Sequence, residues 1–531
     1  MHQSTKWVQR KPAQDYLPWD SIQDKLAAIR GVQLDEWLRP SFLSLHNPTE
    51  LDNIEKVADR ILKAIRDNEK IVVSFDPDTD GICSAVMLIR YLNMFTDNIK
   101  YTYHQRSEGH GISNQNVPSG TELLIICDSS TNEADECKRL KESGLDITIL
   151  DHHLQERENP YALIVNPQIC DYPNKELSGS GVVWKLLQIM DNYLGYYNNQ
   201  FIDLAGIGLY ADVMSMGVQE NRYLVFNALK NISNPAIKAL LKELRVSSIN
   251  SQTIGYQIAP IVNASARLGQ IEKVIEALLT DDPVVINSSA KELIKLNEHR
   301  KKLEAEVFDS IKPKILSFSK IAVFVGDEIP KGFNGLIATK ICNHFGTVSL
   351  VLTKHDNYLN GSGRSIGDIK FKSIIQESGL AKFVLGHEGA FGISIHERKF
   401  EKLLDYLEQN IEYKEQQILY DLELSLDEIS YDFIKDVNEF DYLAGKNAET
   451  CKFLIRNVPV WEVKYIGQGD TLKITSNDID LLKFRMNEKI ALTKGDQIDV
   501  IGSLNINKYY NFGLKRNIIT KQMFIEDIRM C

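Results

Sequence analysis

The segment FDPDTDG places Asp76, Asp78 and Asp80 at two-residue spacing directly after the apolar run Ile71 to Phe75. Three carboxylates this close repel one another, and a divalent cation is the opposing charge that makes such a cluster tolerable. An EF-hand does not fit, because Gly81 is followed by the apolar stretch ICSAVMLIRYL instead of further loop ligands. Two more apolar runs end in the same way: LLIIC leads into Asp128, and DITIL leads into Asp151, His152 and His153. Asp212 stands in the otherwise uncharged stretch AGIGLYADVMSMG. Each feature alone has a plainer reading, an acidic turn in solvent or a surface histidine; their recurrence at successive strand ends favours a cation site. Carboxylate-rich ligation with few imidazoles suits Mn2+ or Mg2+ better than zinc or copper. The set is large enough for two cations sharing a carboxylate, an arrangement that stabilises both attacking and leaving oxygens in phosphoryl transfer. The chemistry implied is metal-assisted hydrolysis of a phosphoester.

Parallel strands are needed to bring these groups to one rim. IVVSF at 71–75, TELLIICDSS at 121–130 and LDITILDHH at 145–153 read as β-rich runs separated by helical patterns, and LDNIEKVADRILKAIRDN at 51–68 has helical spacing. This alternation predicts an α/β fold with a parallel sheet and ligands at the carboxyl ends of its strands. Gly179 to Val218 reads as helix-rich, and the charged run Ser288 to Ser310 as a connecting helix of about 20 residues between two lobes. A second α/β lobe starts with KIAVFVG at 320–326 and continues through VSLVLTK, a glycine-serine turn GSGRS at 361–365, and LGHEGAFGISI at 385–395. In that turn Gly361 and Gly363 would expose backbone N–H groups, while Arg364 supplies a bidentate phosphate donor. From Cys451 onward, short β runs bounded by Asp, Asn and Gly predict a small barrel of the OB type.

Composition narrows the class. With 531 residues, 43% hydrophobic and 25% charged, the chain has enough apolar side chain for several cores. Its 61 Lys+Arg against 72 Asp+Glu, net charge -11, disfavour nucleic-acid binding by bulk charge but leave room for a local basic groove. One such region is 481–531, with nine Lys/Arg against five Asp/Glu, where Tyr509, Tyr510, Phe512, Lys515 and Arg516 interleave aromatic and basic residues. The seven cysteines form no CxxC pair and are odd in number, which fits reduced, structural thiols better than a disulfide framework. No signal peptide or run of about 18 apolar residues occurs, so no membrane partner and a cytoplasmic location are expected.

FDPDTDG, CDSS, LDHH and ADV, in that order, resemble the four motifs of the DHH phosphoesterase superfamily. IRGVQLDEWLRPSF, LSGSGVVWKL, ADVMSMGVQENR, IAPIVNASARLG, LNEHRKKLE, GSGRS, GHEGAFG, YYNFG and FIEDIR extend the likeness to the RecJ family over nearly the whole chain. The resemblance implies a DHH domain and a DHHA1 domain joined by a long helix, with an OB-like domain after them. The corresponding ranges are 1–270 for the N-terminal segment and DHH domain, 271–312 for the connector, 313–430 for DHHA1 and 431–531 for the OB-like domain. It also implies 5′-to-3′ degradation of single-stranded DNA to mononucleotides with Mn2+ or Mg2+, two ions per site, in repair, recombination or replication.

Carried over by motif, Asp78 and Asp128 would hold one cation, and Asp80, Asp128, His152 and Asp212 the other. Asp76 would ligate or orient water, and His153 would face the scissile phosphate. Arg364, with Gly361, Ser362, Gly363 and Ser365 around it, would grip a nucleotide phosphate; His387 would bind phosphate or protonate a leaving oxygen; Asn263 and Arg267 would contact DNA. Tyr509, Tyr510, Lys515 and Arg516 would extend the nucleic-acid surface. Candidate protein partners are a helicase or a single-strand-binding protein, and the expected state is a monomer.

The sequence departs from the family pattern where EIPKGFNGLIA replaces a tryptophan-histidine segment. It does so again where YLAGKNA replaces FGxGNP, and where Leu385 and Phe391 replace a glycine and an alanine of GGHxxAAG. None of these changes touches a cation motif. A bacterial protein and a divergent phage-encoded one, in a bacterial or host cytoplasm, are both open. Two other functions compete: a DHH-type oligoribonucleotide or cyclic-dinucleotide phosphodiesterase, and a non-catalytic DNA-binding or replication-scaffold protein. The OB-like tail argues for a polymeric substrate over the first, and the intact ligand set argues against the second.

Overall fold

The computed structural model describes residues 5–104, 111–112, 117–196, 200–246, 248–413, 417–467, 469–486, 489–511 and 515–531, the side chains of 510 and 511 excepted. Two compact units are present, one of His46–Met214 with Leu224–Lys414, the other of Met1–Leu45, Ser215–Tyr223 and Glu415–Cys531.

In the larger unit the expected parallel sheet has five strands in the order Ile99–Tyr103, Ile71–Phe75, Leu123–Cys127, Asp146–Leu150, Leu163–Val165. Every pairing is parallel, and the register sets Phe75 opposite both Tyr103 and Cys127, Cys127 opposite Leu150, and Leu150 opposite Val165. The first residues past these strands, His104, Asp76, Asp128, Asp151 and Asn166, therefore share one rim. Ile71–Phe75 and Leu123–Cys127 are buried along their full length, as continuous apolar strands covered on both faces should be. Two strands escape the sequence reading. Ile99–Tyr103 carries the half-polar string IKYTY, and Leu163–Val165 is only three residues long.

The connecting helix spans Pro283–Ile311, longer at its N-terminal end than the charged run indicates. Asp282 caps it by accepting from Val284 N–H, and Pro283 occupies the first turn, where a missing N–H does no harm. Ile286, Ala290 and Leu293 are buried near one end of the helix, and Val307, Phe308 and Ile311 near the other, where they join the core of the second lobe with Phe324, Phe333 and Ile337. The connector is thus a shared wall of the unit as well as a spacer.

The second lobe has a six-stranded mixed sheet in the order Ala381–His387, Ala390–His396, Tyr358–Arg364, Val348–His355, Ile321–Val325, Leu316–Ser317, with one parallel pairing, between Ile321–Val325 and Val348–His355. Here the sequence reading is corrected. GSGRS is no turn: Gly361 to Arg364 form the end of a strand paired on both sides, with Gly361 opposite Leu352 and Ile393. The backbone groups of Gly361 and Gly363 lie within the ladder and are not presented as an anion nest. The glycines are needed for close packing, since a Cβ on Gly361 would lie 1.9 Å from the Val351 carbonyl oxygen and one on Gly363 2.3 Å from the Phe391 ring.

The smaller unit contains a seven-stranded sheet ordered Leu422–Leu424, Phe453–Pro459, Gln497–Asn511, Arg516–Met530, Ile479–Lys483, Thr471–Ser476, Glu462–Ile466. Its longest feature is the hairpin of the 15-residue strands Gln497–Asn511 and Arg516–Met530. Near the N-terminus, Lys6–Gln9 pairs in parallel with Gln417–Tyr420. In the same unit the Arg222 guanidinium stacks 3.5 Å from the centroid of the Trp37 ring and donates to the Trp37 and Met216 carbonyls. Among the described residues no helix is long and apolar enough to cross a membrane.

Gly361→Ala is expected to destabilise the protein by about 1–3 kcal/mol, because the obstructing carbonyl belongs to a paired strand and cannot rotate away. Urea unfolding followed by circular dichroism measures the effect; a wild-type midpoint would contradict the close approach of the two strands.

Candidate metal centre and phosphate-binding residues

The acidic loop is shaped by the helix Thr79–Leu92 that follows it. Asp78 caps this helix, its Oδ1 accepting from Asp80 N–H and Gly81 N–H at 3.1 Å each. The positive end of the helix thereby faces the carboxylates. Gly81 allows the first turn to press on the loop, since a Cβ there would lie 2.2 Å from the Asp76 carbonyl oxygen. Asp80 points inward and accepts from Ser178 Oγ at 3.0 Å, Ser180 Oγ at 2.5 Å and Ser180 N–H at 3.2 Å. Gly179 leaves room for Asp128, and Gly208 for Asp80 and Ser180; a Cβ on either glycine would come within 2.8 Å of the nearest atom of those residues.

Asp128 and Val213, the residue after Asp212, have φ of 62° and 58°. That backbone region is uncommon for any residue with a side chain and strained for a β-branched one, and such strain collects at functional sites.

Ligand atoms from the four motifs converge. Asp76, Asp78 and Asp128 offer atoms within 4.8 Å of one another, and so do Asp80, His152 and Asp212. His152 Nε2 lies 3.1 Å from Asp128 Oδ1 and 3.4 Å from Asp212 Oδ2. All three atoms are buried and make no hydrogen bond. Buried polar atoms are almost always satisfied, so three orphans converging on one point fit a cation with oxygen and imidazole ligands.

The electrostatics agree with that fit. Burial, with the charges of its acidic neighbours, holds the Asp128 and Asp212 carboxyls well above the usual range. Burial and the charge of Asp78, against the serine hydrogen bonds, push Asp80 up to about 6. His152 is lowered to about 3 by burial and by the charge of His153, so its ring is neutral and its lone pair is available.

Sequence reasoning gave no separate role to Asp151, which is fully buried. Its Oδ1 accepts from His152 N–H at 2.7 Å and meets His153 Nδ1 at 2.7 Å, and its Oδ2 accepts from Thr131 Oγ1 at 2.6 Å. Despite partial burial, Asp151 raises His153 to about 10. His104, at the end of its unread strand, lies 3.2 Å from Asp76 through Nε2, and Asn166 ties Thr131 Oγ1 to the His153 carbonyl. Among these supports only the small-residue string LSGSG left a mark in the sequence, beside the cation motifs.

The second lobe supplies two further groups. Arg364, at the end of its strand, donates from Nε to Thr339 Oγ1 at 3.2 Å and from Nη1 to the Gly363 carbonyl at 2.8 Å. His387 is exposed at the end of its own strand, close enough for its charge to oppose protonation of His152. Arg267 donates to the Gly332 carbonyl at 3.0 Å, and the Asn263 Oδ1, in the same helix Ala259–Arg267, is buried without a hydrogen bond. Ser362 lies within the paired strand and Ser365 just beyond it, with the Ser365 hydroxyl donating to the Ile369 carbonyl.

In the smaller unit, Tyr509 is 45% exposed. Lys515 and Arg516 are exposed where the long hairpin returns. The Tyr510 side chain and Phe512 lie outside the described residues.

Two family models match this chain: the DHH family N-terminal domain over residues 70–217, which holds every cation motif, and the RecJ OB domain over residues 420–513. The chain carries a DHH domain and an OB domain of the RecJ type. It is 28% identical to the single-stranded-DNA-specific exonuclease RecJ of Bacillus subtilis over 95% of its own length and 69% of that protein. It is 27% identical to YorK of Bacillus phage SPbeta, assigned as a single-strand DNA-specific exonuclease, over 92% of its own length and 93% of that protein. The crystal structure of RecJ from Thermus thermophilus in complex with Mn2+ superposes with TM-score 0.81 at 23% identity, covering 100% of this chain and 80% of that one. The likeness in fold therefore covers the residues of both units.

Cation binding to this RecJ-like centre should be linked to protons. Without a cation, carboxyls whose folded pKa is raised hold protons that the unfolded chain releases near 3.8. Stability is then lost as pH rises from there through about 6 for Asp80 and further for Asp128 and Asp212. A cation needs the ionised forms, so Mn2+ should raise Tm more at pH 8 than at pH 5. Thermal melts with Mn2+ and with EDTA at the two pH values measure this, and an equal shift at both would contradict a carboxylate-rich site.

Proposed function

We propose that this chain is a divalent-metal-dependent exonuclease that degrades single-stranded DNA from the 5′ end to mononucleotides. The observation that carries this reading is the convergence of Asp128 Oδ1, His152 Nε2 and Asp212 Oδ2, buried and without hydrogen bonds, beside the Asp76, Asp78 and Asp128 cluster. Two ions, Mn2+ or Mg2+, suit the two groups, with Asp128 shared. Asp76, Asp78 and Asp128 would hold one, and Asp80, Asp128, His152 and Asp212 the other. When bound, divalent cations lower the pKa of water and neutralise charge on a phosphate.

The remaining roles belong to the chain's own residues. Asp151 keeps His153 protonated and turned toward the rim, where a cationic imidazole can donate to a phosphate oxygen. Arg364 grips a backbone phosphate through its planar fork, and Arg267, Asn263 and His387 line the path of the strand. The domain assignment follows the same reading: the sheet of Ile71–Phe75 is the catalytic DHH part, the mixed sheet the DHHA1 part and the C-terminal sheet the OB part. The polarity and a role in repair or recombination are supported by the family likeness. Work as a monomer beside a helicase or a single-strand-binding protein completes the proposal.

An oligonucleotide with separate 5′ and 3′ labels tests the activity. The 5′ label should appear first as a mononucleotide in Mn2+ or Mg2+, with no release in EDTA and little from blunt duplex or RNA. Asp128→Asn, which keeps the shape and removes the charge, should lower turnover more than about a hundredfold while leaving the metal-free Tm unchanged or higher. Full turnover by the folded variant would refute the shared-ligand role.

The hairpin end carries a separate expectation. Replacing Lys515 and Arg516 by alanine should weaken binding to a long single strand and flatten the dependence of log K on log salt by about 0.7 for each phosphate no longer neutralised. Equal salt slopes for the two proteins would remove these residues from the binding surface.

A further inference from the structure

The segment EIPKGFNGLIA, one of the departures from the family pattern, runs into the helix Asn334–Phe345. Gly335 and Thr339 stand four residues apart on it, one above the other on the same face. Thr339 Oγ1 donates to the Gly335 carbonyl at 2.9 Å and accepts from Arg364 Nε at 3.2 Å. A hydroxyl has a single proton, and spending it on Gly335 turns a lone pair toward the guanidinium. With Nη1 held by the Gly363 carbonyl at 2.8 Å, two bonds fix the plane of the Arg364 fork.

Gly335 provides the space. A Cβ there would lie 2.4 Å from Arg364 Nη2 and 3.4 Å from its Cζ, so the guanidinium rests over the first turn of the helix where a side chain is missing. That turn carries the positive end of the helix dipole, which favours an anion beside it. Arginine and helix terminus then attract the same anion from two sides.

We propose that Gly335 and Thr339 are positioning residues that seat Arg364 and fix its fork for a phosphate of the bound strand. The proposal rests on the reading of Arg364 as the phosphate grip. Neither residue touches the reacting atoms; each acts through the arginine.

Steady-state kinetics on a fluorescent single-stranded oligonucleotide, with Mn2+ affinity and thermal melts measured alongside, separate the possibilities. Thr339→Val keeps the shape and removes the acceptor. It should raise KM about three- to tenfold, the range of one lost hydrogen bond, with kcat falling less than twofold and Mn2+ affinity unchanged. Thr339→Ser should restore KM, and Gly335→Ala should raise it as Thr339→Val does. On an Arg364→Ala background, Thr339→Val should add nothing, because the group it acts through is gone. If Arg364→Ala raises KM but Thr339→Val does not, or if the two effects multiply in the double variant, the seat is overturned while the phosphate grip stands. If Arg364→Ala alone leaves KM unchanged, the grip itself falls and the seat falls with it.

Discussion

Mutual repulsion among Asp76, Asp78, Asp80, Asp128 and Asp212 is the constraint around which the larger unit is built. These side chains come from different parts of the chain, most of them are buried, and their charges raise one another's affinity for protons. A fold that gathers them needs a frame stiff enough to hold the cluster without the cation. The parallel register meets that need, because the last residues of neighbouring strands are paired in the ladder and the next residues are delivered in a row. The helix Thr79–Leu92 adds its positive end, and two serines hold Asp80 by direct hydrogen bonds. Without a cation, the remaining repulsion opposes folding of this centre; with one, the same charges become the source of affinity.

Small residues make that frame possible. Gly81, Gly179 and Gly208 each remove a Cβ that would strike a carboxylate, its hydrogen-bonding serine or its backbone. The contacts are too close for any larger residue, so the placement of the carboxylates is set partly by residues that carry no charge. The second lobe uses glycine in the same way for a different charge: Gly361 and Gly363 let strands approach, and Gly335 makes room for a guanidinium. Room for a neighbouring atom, more than backbone freedom, is the common purpose.

The parallel strands and the convergence of the four acidic and histidine motifs were legible in sequence because each couples a buried apolar run to a polar residue at its end, a pattern with few alternatives. IVVSF matches its strand residue for residue. IKYTY was lost because its alternation is that of a half-exposed strand, and with it went His104. GSGRS was misread as a turn since glycine and serine favour turns on local grounds. What overrides that preference is the Val351 carbonyl and the Phe391 ring, both distant in sequence. Asp151 was seen but assigned no role, because spacing alone cannot say which of three adjacent polar residues turns inward. Thr131 and Asn166, which decide that question, lie on other segments.

The order of the Asp-His-His triplet follows from that inward turn. Asp151 accepts from the backbone of both histidines but from the ring of only one, His153. That contact stabilises the charged imidazole of His153. The charge in turn joins burial in keeping His152 neutral, so two adjacent identical side chains are held in opposite protonation states. A neutral ring can offer a lone pair to a cation and a charged ring can donate to an anion, so the pair can serve both kinds of charge side by side. Exchanging the positions of Asp151 and His152 would conserve composition and disturb this polarity: the carboxylate would face the acidic cluster, and the outer imidazole would lose the acid that meets its ring nitrogen.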